Sequence, residues 1–169
     1  MMKLLFTFTS LLALASASPV AIPSKEIDSL EKRDTEIIYL INCRHDVSCC
    51  TPQTHSSHIA PVCYFQYYPA SGQSQNGEVP SNSNLCTVDA NNYAWWEQDG
   101  KGCTFTTGVT FTSHIDSDAQ SRPLYSWSGW GTNGFKNFDC FRDNGRELYR
   151  TSGPEWANRC NSIYYCLPQ

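Results

Sequence analysis

Lysine is scarce in this chain: after position 33 only Lys101 and Lys136 remain. Residues 34–169 carry 8 Lys and Arg against 13 Asp and Glu, a net charge of −5. That balance argues against a nucleic-acid partner, because such binding draws on basic side chains set against phosphates. It also lacks the basic cluster that would hold a protein to an anionic membrane. No Asn-x-Ser/Thr sequon occurs, since Asn82-Ser83-Asn84 and Asn161-Ser162-Ile163 both miss it, so N-glycosylation is not expected. No Gly-x-Ser-x-Gly elbow, phosphate-binding glycine loop, calcium loop or dinucleotide fingerprint is present, and no cofactor is expected. No stretch keeps an apolar i, i+3, i+4, i+7 stripe over three turns, so helix should be minor.

What is present begins with targeting signals. Lys3 precedes an apolar run over residues 4–15, broken only by Thr7, Thr9 and Ser10, and Ala15-Ser16-Ala17 supplies small residues for cleavage. The run is shorter than the roughly 20 residues a membrane helix needs, and no later run is longer. Residues 1–17 therefore read as a signal peptide cut after Ala17, with a signal anchor as the alternative. Residues 18–33 are polar and end in Leu30-Glu31-Lys32-Arg33. The Lys32-Arg33 pair lies in a cysteine-free linker and reads as a dibasic processing site; inside a folded element it would be an ordinary solvated pair. These segments are set aside, leaving residues 34–169 as a single 136-residue domain, secreted and extracellular, long enough for a real core.

All 9 cysteines lie in that domain: Cys43, Cys49, Cys50, Cys63, Cys86, Cys103, Cys140, Cys160 and Cys166. After a signal peptide this count reads as a disulfide framework. Nine is odd, so one thiol is free, buried or bonded to a partner, and a disulfide-linked dimer is one expectation. Eight paired cysteines allow 105 connectivities, and spacing does not choose among them.

Strand signals dominate. β-branched and aromatic runs occur at 36–41, 62–68, 93–97, 108–114, 135–141, 146–150 and 162–167. Asp99-Gly100 and Asn144-Gly145 supply turn chemistry, and the second predicts a hairpin between the runs that flank it. Residues 51–60, 69–84 and 127–133 read as loops, and 154–159 as a short helix opened by Pro154. The expected fold is mostly β: a disulfide-stapled antiparallel β-sandwich or small β-barrel with long polar loops.

Aromatic residues are the most abundant material for a site. Adjacent Trp95 and Trp96 should point to opposite faces of an extended segment. Trp127 and Trp130 sit among small residues in Ser-Trp-Ser-Gly-Trp-Gly, which would leave their rings accessible for stacking on sugars; the competing reading places tryptophans in the core. Candidate binding residues are Trp127, Trp130, His55, His58 and Asn76. General acid–base chemistry could draw on His114 and Asp116, with Glu97; the plainer reading is a strand end entering a polar turn. His45, His55, His58, Cys49 and Cys50 hold metal-ligating atoms, but oxidised cysteines prefer one another, so no metal is expected. A cysteine nucleophile would need an activating histidine, and His45 near Cys43 is the nearest in sequence.

The arrangement resembles the small cysteine-rich secreted, effector-like proteins of filamentous fungi. The resembling features are the signal peptide, the segment ending at Arg33 and the cysteine-dense domain closing on Cys160-Asn-Ser-Ile-Tyr-Tyr-Cys166. Ile41-Asn42-Cys43-Arg44 is similar to the start of a killer-toxin family, whose glycine-rich continuation is missing here, so no functional residue carries over. The resemblance implies a non-enzymatic virulence protein that engages a host or competitor extracellular protein, such as a protease, or a cell-wall glycan, through loops on a rigid scaffold. The alternatives are a small secreted hydrolase or ribonuclease using His114, Asp116 and Glu97, and a killer-toxin-like antimicrobial protein.

Overall fold

The computed structural model describes residues 35–48, 57–153 and 156–169. The signal-peptide and pro-segment assignments (1–17 and 18–33, with Ala17, Lys32 and Arg33) lie outside them, as do Cys49, Cys50 and His55.

The fold is mostly antiparallel β, as the composition predicts. Among the described residues there are nine strands: β1 Ile37–Ser48, β2 Ser57–Tyr68, β3 Leu85–Asp89, β4 Lys101–Thr104, β5 Thr110–Ile115, β6 Trp127–Thr132, β7 Asn137–Arg142, β8 Glu147–Gly153 and β9 Trp156–Pro168. Eight of them form one sheet in the order β3-β2-β1-β9-β7-β6-β5-β4, and β8 adds to β9. The end strands β3 and β4 are joined by the Cys86–Cys103 disulfide, which brings the sheet round into a nearly closed barrel.

The interior is aromatic. Phe65, Phe111 and Phe138 form a chain of edge-to-face contacts with centroids 5.2 and 5.5 Å apart, and Trp96 packs on Phe65 at 5.2 Å. Burying each such ring stabilises the fold by about 1.5–3 kcal/mol relative to exposure. β1 is buried on both faces. Ile38 and Leu40 point into the barrel, while Ile37, Tyr39, Ile41 and Cys43 join a second apolar cluster with Tyr68, Leu148, Tyr149 and Cys160. That explains its unbroken apolar sequence, since a strand buried on one face alternates. The short helix α1, Ser71–Gln75, reaches this second cluster, and Ser74 Oγ lies 2.8 Å from Tyr39 Oη.

Five sequence readings differ from the structure. Residues 57–60, expected within a polar loop, open β2, because the far end of β1 pairs with them. Asn144-Gly145 does not turn a hairpin. β7 and β8 pair with the same side of β9, β7 with residues 164–168 and β8 with 156–161. They form one interrupted strand, in which residues 143–146 bulge opposite 162–163. Asp143 N donates to Ile163 O at 2.9 Å and Ser162 N to Arg146 O at 2.9 Å, so pairing resumes without reversal. β9 has 13 residues, and neither short strand alone could line it. Residues 93–97 are extended but unpaired. Ala94 N and Trp96 Nε1 both donate to Asn42 Oδ1 at 3.2 Å, which seats Trp96 in the aromatic core without a sheet partner for its segment. Residues 156–159 belong to β9 rather than a helix. Residues 127–132 form β6 rather than a loop, because their small residues permit close packing: a Cβ on Gly131 would strike the Phe111 ring. The 69–84 excursion holds α1 and a 3₁₀ turn at Asn82–Asn84.

Among the described residues three disulfides form. Cys43–Cys160 and Cys140–Cys166 each join directly opposed residues on neighbouring strands, and Cys86–Cys103 spans the barrel seam. Cys63 is unpaired and wholly buried, so its thiol is not placed to bridge two molecules. No helix among the described residues is long and apolar enough to cross a membrane.

Candidate functional site

The outer face of β5, β6 and β7 gathers the most distinctive surface chemistry, and a bulge creates it. Residues three apart on a regular strand face opposite ways. β6 breaks its register between Trp127 and Gly129. Gly129 lies opposite Cys140 and Ile115, whose side chains are buried, while Trp130 lies opposite Asp139 and His114. Trp127 lies opposite Phe141, which is two residues from Asp139 and so on its face. Both tryptophans therefore share the outer face, 45% and 41% exposed. The bulge requires glycine: Gly129 has φ +149°, and an added Cβ would collide with the His114 carbonyl oxygen.

Polar groups bracket the two rings. His114 stacks on Trp130 at 4.0 Å with 9° between the planes, and its Nδ1 bonds the Asp99 carboxylate. Trp127 Nε1 donates to Asp139 Oδ1 at 3.1 Å, as does Gln169 Nε2 at 3.1 Å. Arg122 lies over the Trp127 ring at 5.8 Å and donates to the Trp127 carbonyl at 3.2 Å. Its guanidinium bridges Asp116 at 2.8 Å and Asp118 at 2.6 Å, and these hydrogen bonds hold its pKa above the ordinary value. Beside this cluster Tyr125 is 55% exposed at φ 64°, a left-handed conformation that is an outlier for a bulky residue. Its N–H bonds Arg142 O at 2.8 Å, and its hydroxyl accepts from Asn144 Nδ2 at 2.7 Å. Strain of this kind costs about 1–3 kcal/mol and gathers at functional surfaces.

The other candidates are distributed as follows. Trp95 is 70% exposed and Trp96 buried, on opposite sides as expected. Asn76 is exposed at the C-terminal end of α1. His58 lies in β2 opposite Val47. The three acid–base candidates have separate partners: His114 has Asp99, Asp116 has Arg122, and Glu97 accepts from the Tyr164 hydroxyl and from Gln120 Nε2 at 3.0 Å. No hydrogen bond or ion pair links them to one another among the described residues. Cys43 is in a disulfide and so offers no nucleophile beside His45, whose Nδ1 meets Asn158 Oδ1. Burial raises the pKa of the Cys63 thiol, the reverse of an activated nucleophile. No group of three or more metal-ligating residues converges among the described residues. The sequence drew attention to Trp127 and Trp130 but not to Asp139, Asp99 or Gln169, because Asp139 reaches the site through strand register and the other two through side-chain bonds to His114 and Asp139 from loop and terminal positions.

No protein-family model matches this chain, and no curated protein and no solved structure is similar to it.

Proposed function

We propose that this is a secreted, effector-like binding protein without catalytic activity, and that it takes a glycan on the Trp127–Trp130 face. The observation that carries the reading is the shared orientation of the two half-exposed indoles on an open sheet face. Indole faces stack on the apolar faces of pyranose rings. Asp139, Gln169 and His114 surround them with groups that bond hydroxyls. Backing by a disulfide-joined sheet keeps the rings in place before binding, which lowers the ordering cost of association.

Export and trimming after Arg33 belong to the same proposal. They are supported by the signal-like start, the dibasic pair and the three disulfides, which persist in oxidising compartments. The test is a pull-down on insoluble and soluble polysaccharides, using oxidised protein recovered from the medium of a secreting host. Retention by a glycan, reduced at least about tenfold by Trp130→Ala or Trp127→Ala with the fold intact, is the expected result. Unchanged retention in both variants would move the site elsewhere. Turnover of a glycan or RNA, lost on His114→Ala, would replace the reading with a hydrolase.

A further inference from the structure

We infer that the Trp127–Trp130 face selects a cationic amino sugar, a glucosamine polymer carrying free ammonium groups, over neutral or acidic glycans. The inference rests on the glycan reading above and names the sugar. Its basis is the charge around the two rings. Asp139 sits opposite Trp130 in the β6–β7 register and bonds the Trp127 indole. Both hydrogen bonds it accepts come from neutral donors and fall on Oδ1. Among the described residues it has no cationic partner, and Oδ2 makes no hydrogen bond. One carboxylate with an open oxygen is thus held between two exposed indoles.

That combination fits an ammonium. The carboxylate supplies the charge, and the indole faces add a cation–π attraction of about 0.5–2 kcal/mol. The basic side chain over the Trp127 ring, Arg122, does not compete for the role of ligand-reader. Arg122 is already shared between Asp116 and Asp118, so an acidic sugar would find its cation occupied and meet Asp139 and the exposed Asp99 as repulsive neighbours. A neutral sugar would stack equally well yet leave Asp139 without a counter-charge. The open face suits flat pyranose rings along an extended chain; the shallow groove of about 450 Å³ lies elsewhere, along the β3–β4 seam.

The experiment compares glucosamine oligomers with their N-acetylated counterparts, which share the backbone but lack the charge. Calorimetry is run on the oxidised full chain at low and high salt, with polygalacturonate as the acidic arm. The expected result is about tenfold tighter binding of the charged oligomer, a gap that narrows in high salt. Asp139→Asn should erase the preference by weakening the charged oligomer far more than its N-acetylated counterpart, since an amide oxygen still accepts from Trp127 but carries no charge. Equal affinity for both oligomers, preference for polygalacturonate, or an unchanged preference in Asp139→Asn would overturn the inference while leaving the glycan reading standing. A folded protein that binds none of the three would overturn the inference, and no retention on any polysaccharide in the pull-down would overturn the glycan reading with it. Tighter binding to a lysine-rich peptide than to the glucosamine oligomer would also overturn it, in favour of a protein ligand on the same chemistry.

Discussion

Replacing Cys86 and Cys103 together with alanine removes the bond that joins the two end strands of the sheet. The entropic gain of the unfolded chain from releasing a bridge of sequence separation 17 is about 3 kcal/mol. Removing Cys140–Cys166, with separation 26, releases about 3.5 kcal/mol by the same reasoning. Chain entropy alone therefore ranks the seam bridge slightly below the other. The structure predicts a different consequence. β7 and β9 remain hydrogen-bonded when Cys140–Cys166 is lost, because Phe138–Arg142 pair with Tyr164–Pro168. Among the described residues β3 is paired only with β2, and β4 only with β5, so no backbone ladder between them holds the seam shut without its disulfide.

Cys63 reports on that opening. Its side chain is fully buried, with Sγ 3.7 Å from the Asp89 carbonyl of β3. In the Cys86→Ala/Cys103→Ala protein a thiol reagent should label Cys63 much faster than in the parent, under conditions where the protein remains folded. In Cys140→Ala/Cys166→Ala the labelling rate should track global stability alone. Peptide mapping locates the label, and a denaturant titration of each variant supplies the global term. Equal labelling of Cys63 in two variants of matched stability would refute the claim that the disulfide closes the barrel.

Two further outcomes are expected. Gly129→Ala places a Cβ against the His114 carbonyl at a backbone angle that disfavours side chains, and should cost about 1–3 kcal/mol from overpacking alone; Gly134→Ala, at φ +82° but with open space for its Cβ, should lower the melting temperature less, and equal losses would refute the steric account. Burial pushes the Tyr165 hydroxyl from 10.0 up to about 12, and also raises Tyr39, Tyr68, Tyr149 and Tyr164. The folded state then holds more protons than the unfolded one above pH 10, so stability is intact below that pH and falls as pH rises toward 12. Ionisation of these five tyrosines should accompany loss of the fold, and their titration near pH 10 in a folded protein, followed by residue-resolved spectroscopy, would contradict it.

Much of the strand content was legible in the chain because it is local. β-branched and aromatic runs mark the cores of β1, β2, β5, β7, β8 and β9 within a few residues. β3, β4 and β6 escaped notice for a shared reason. They are short or built of Cys, Gly, Ser and Thr, and become strands only because neighbours pair with them. The Asn144-Gly145 error has the same origin. Turn chemistry specifies a local bend, and whether that bend reverses the chain or bulges a continuing strand depends on whether a long partner such as β9 is waiting on the far side.

Composition and pattern by themselves determined a cysteine-dense, lysine-poor, aromatic-rich β domain, since those properties follow from side-chain chemistry and a two-residue period. Tertiary structure alone decided which cysteines pair, which clusters the two faces of β1 join, and that Trp127 and Trp130 look out together with Asp139 between them. Each of these is set by register between strands distant in sequence. A single-residue bulge is enough to carry a side chain from one face of a sheet to the other.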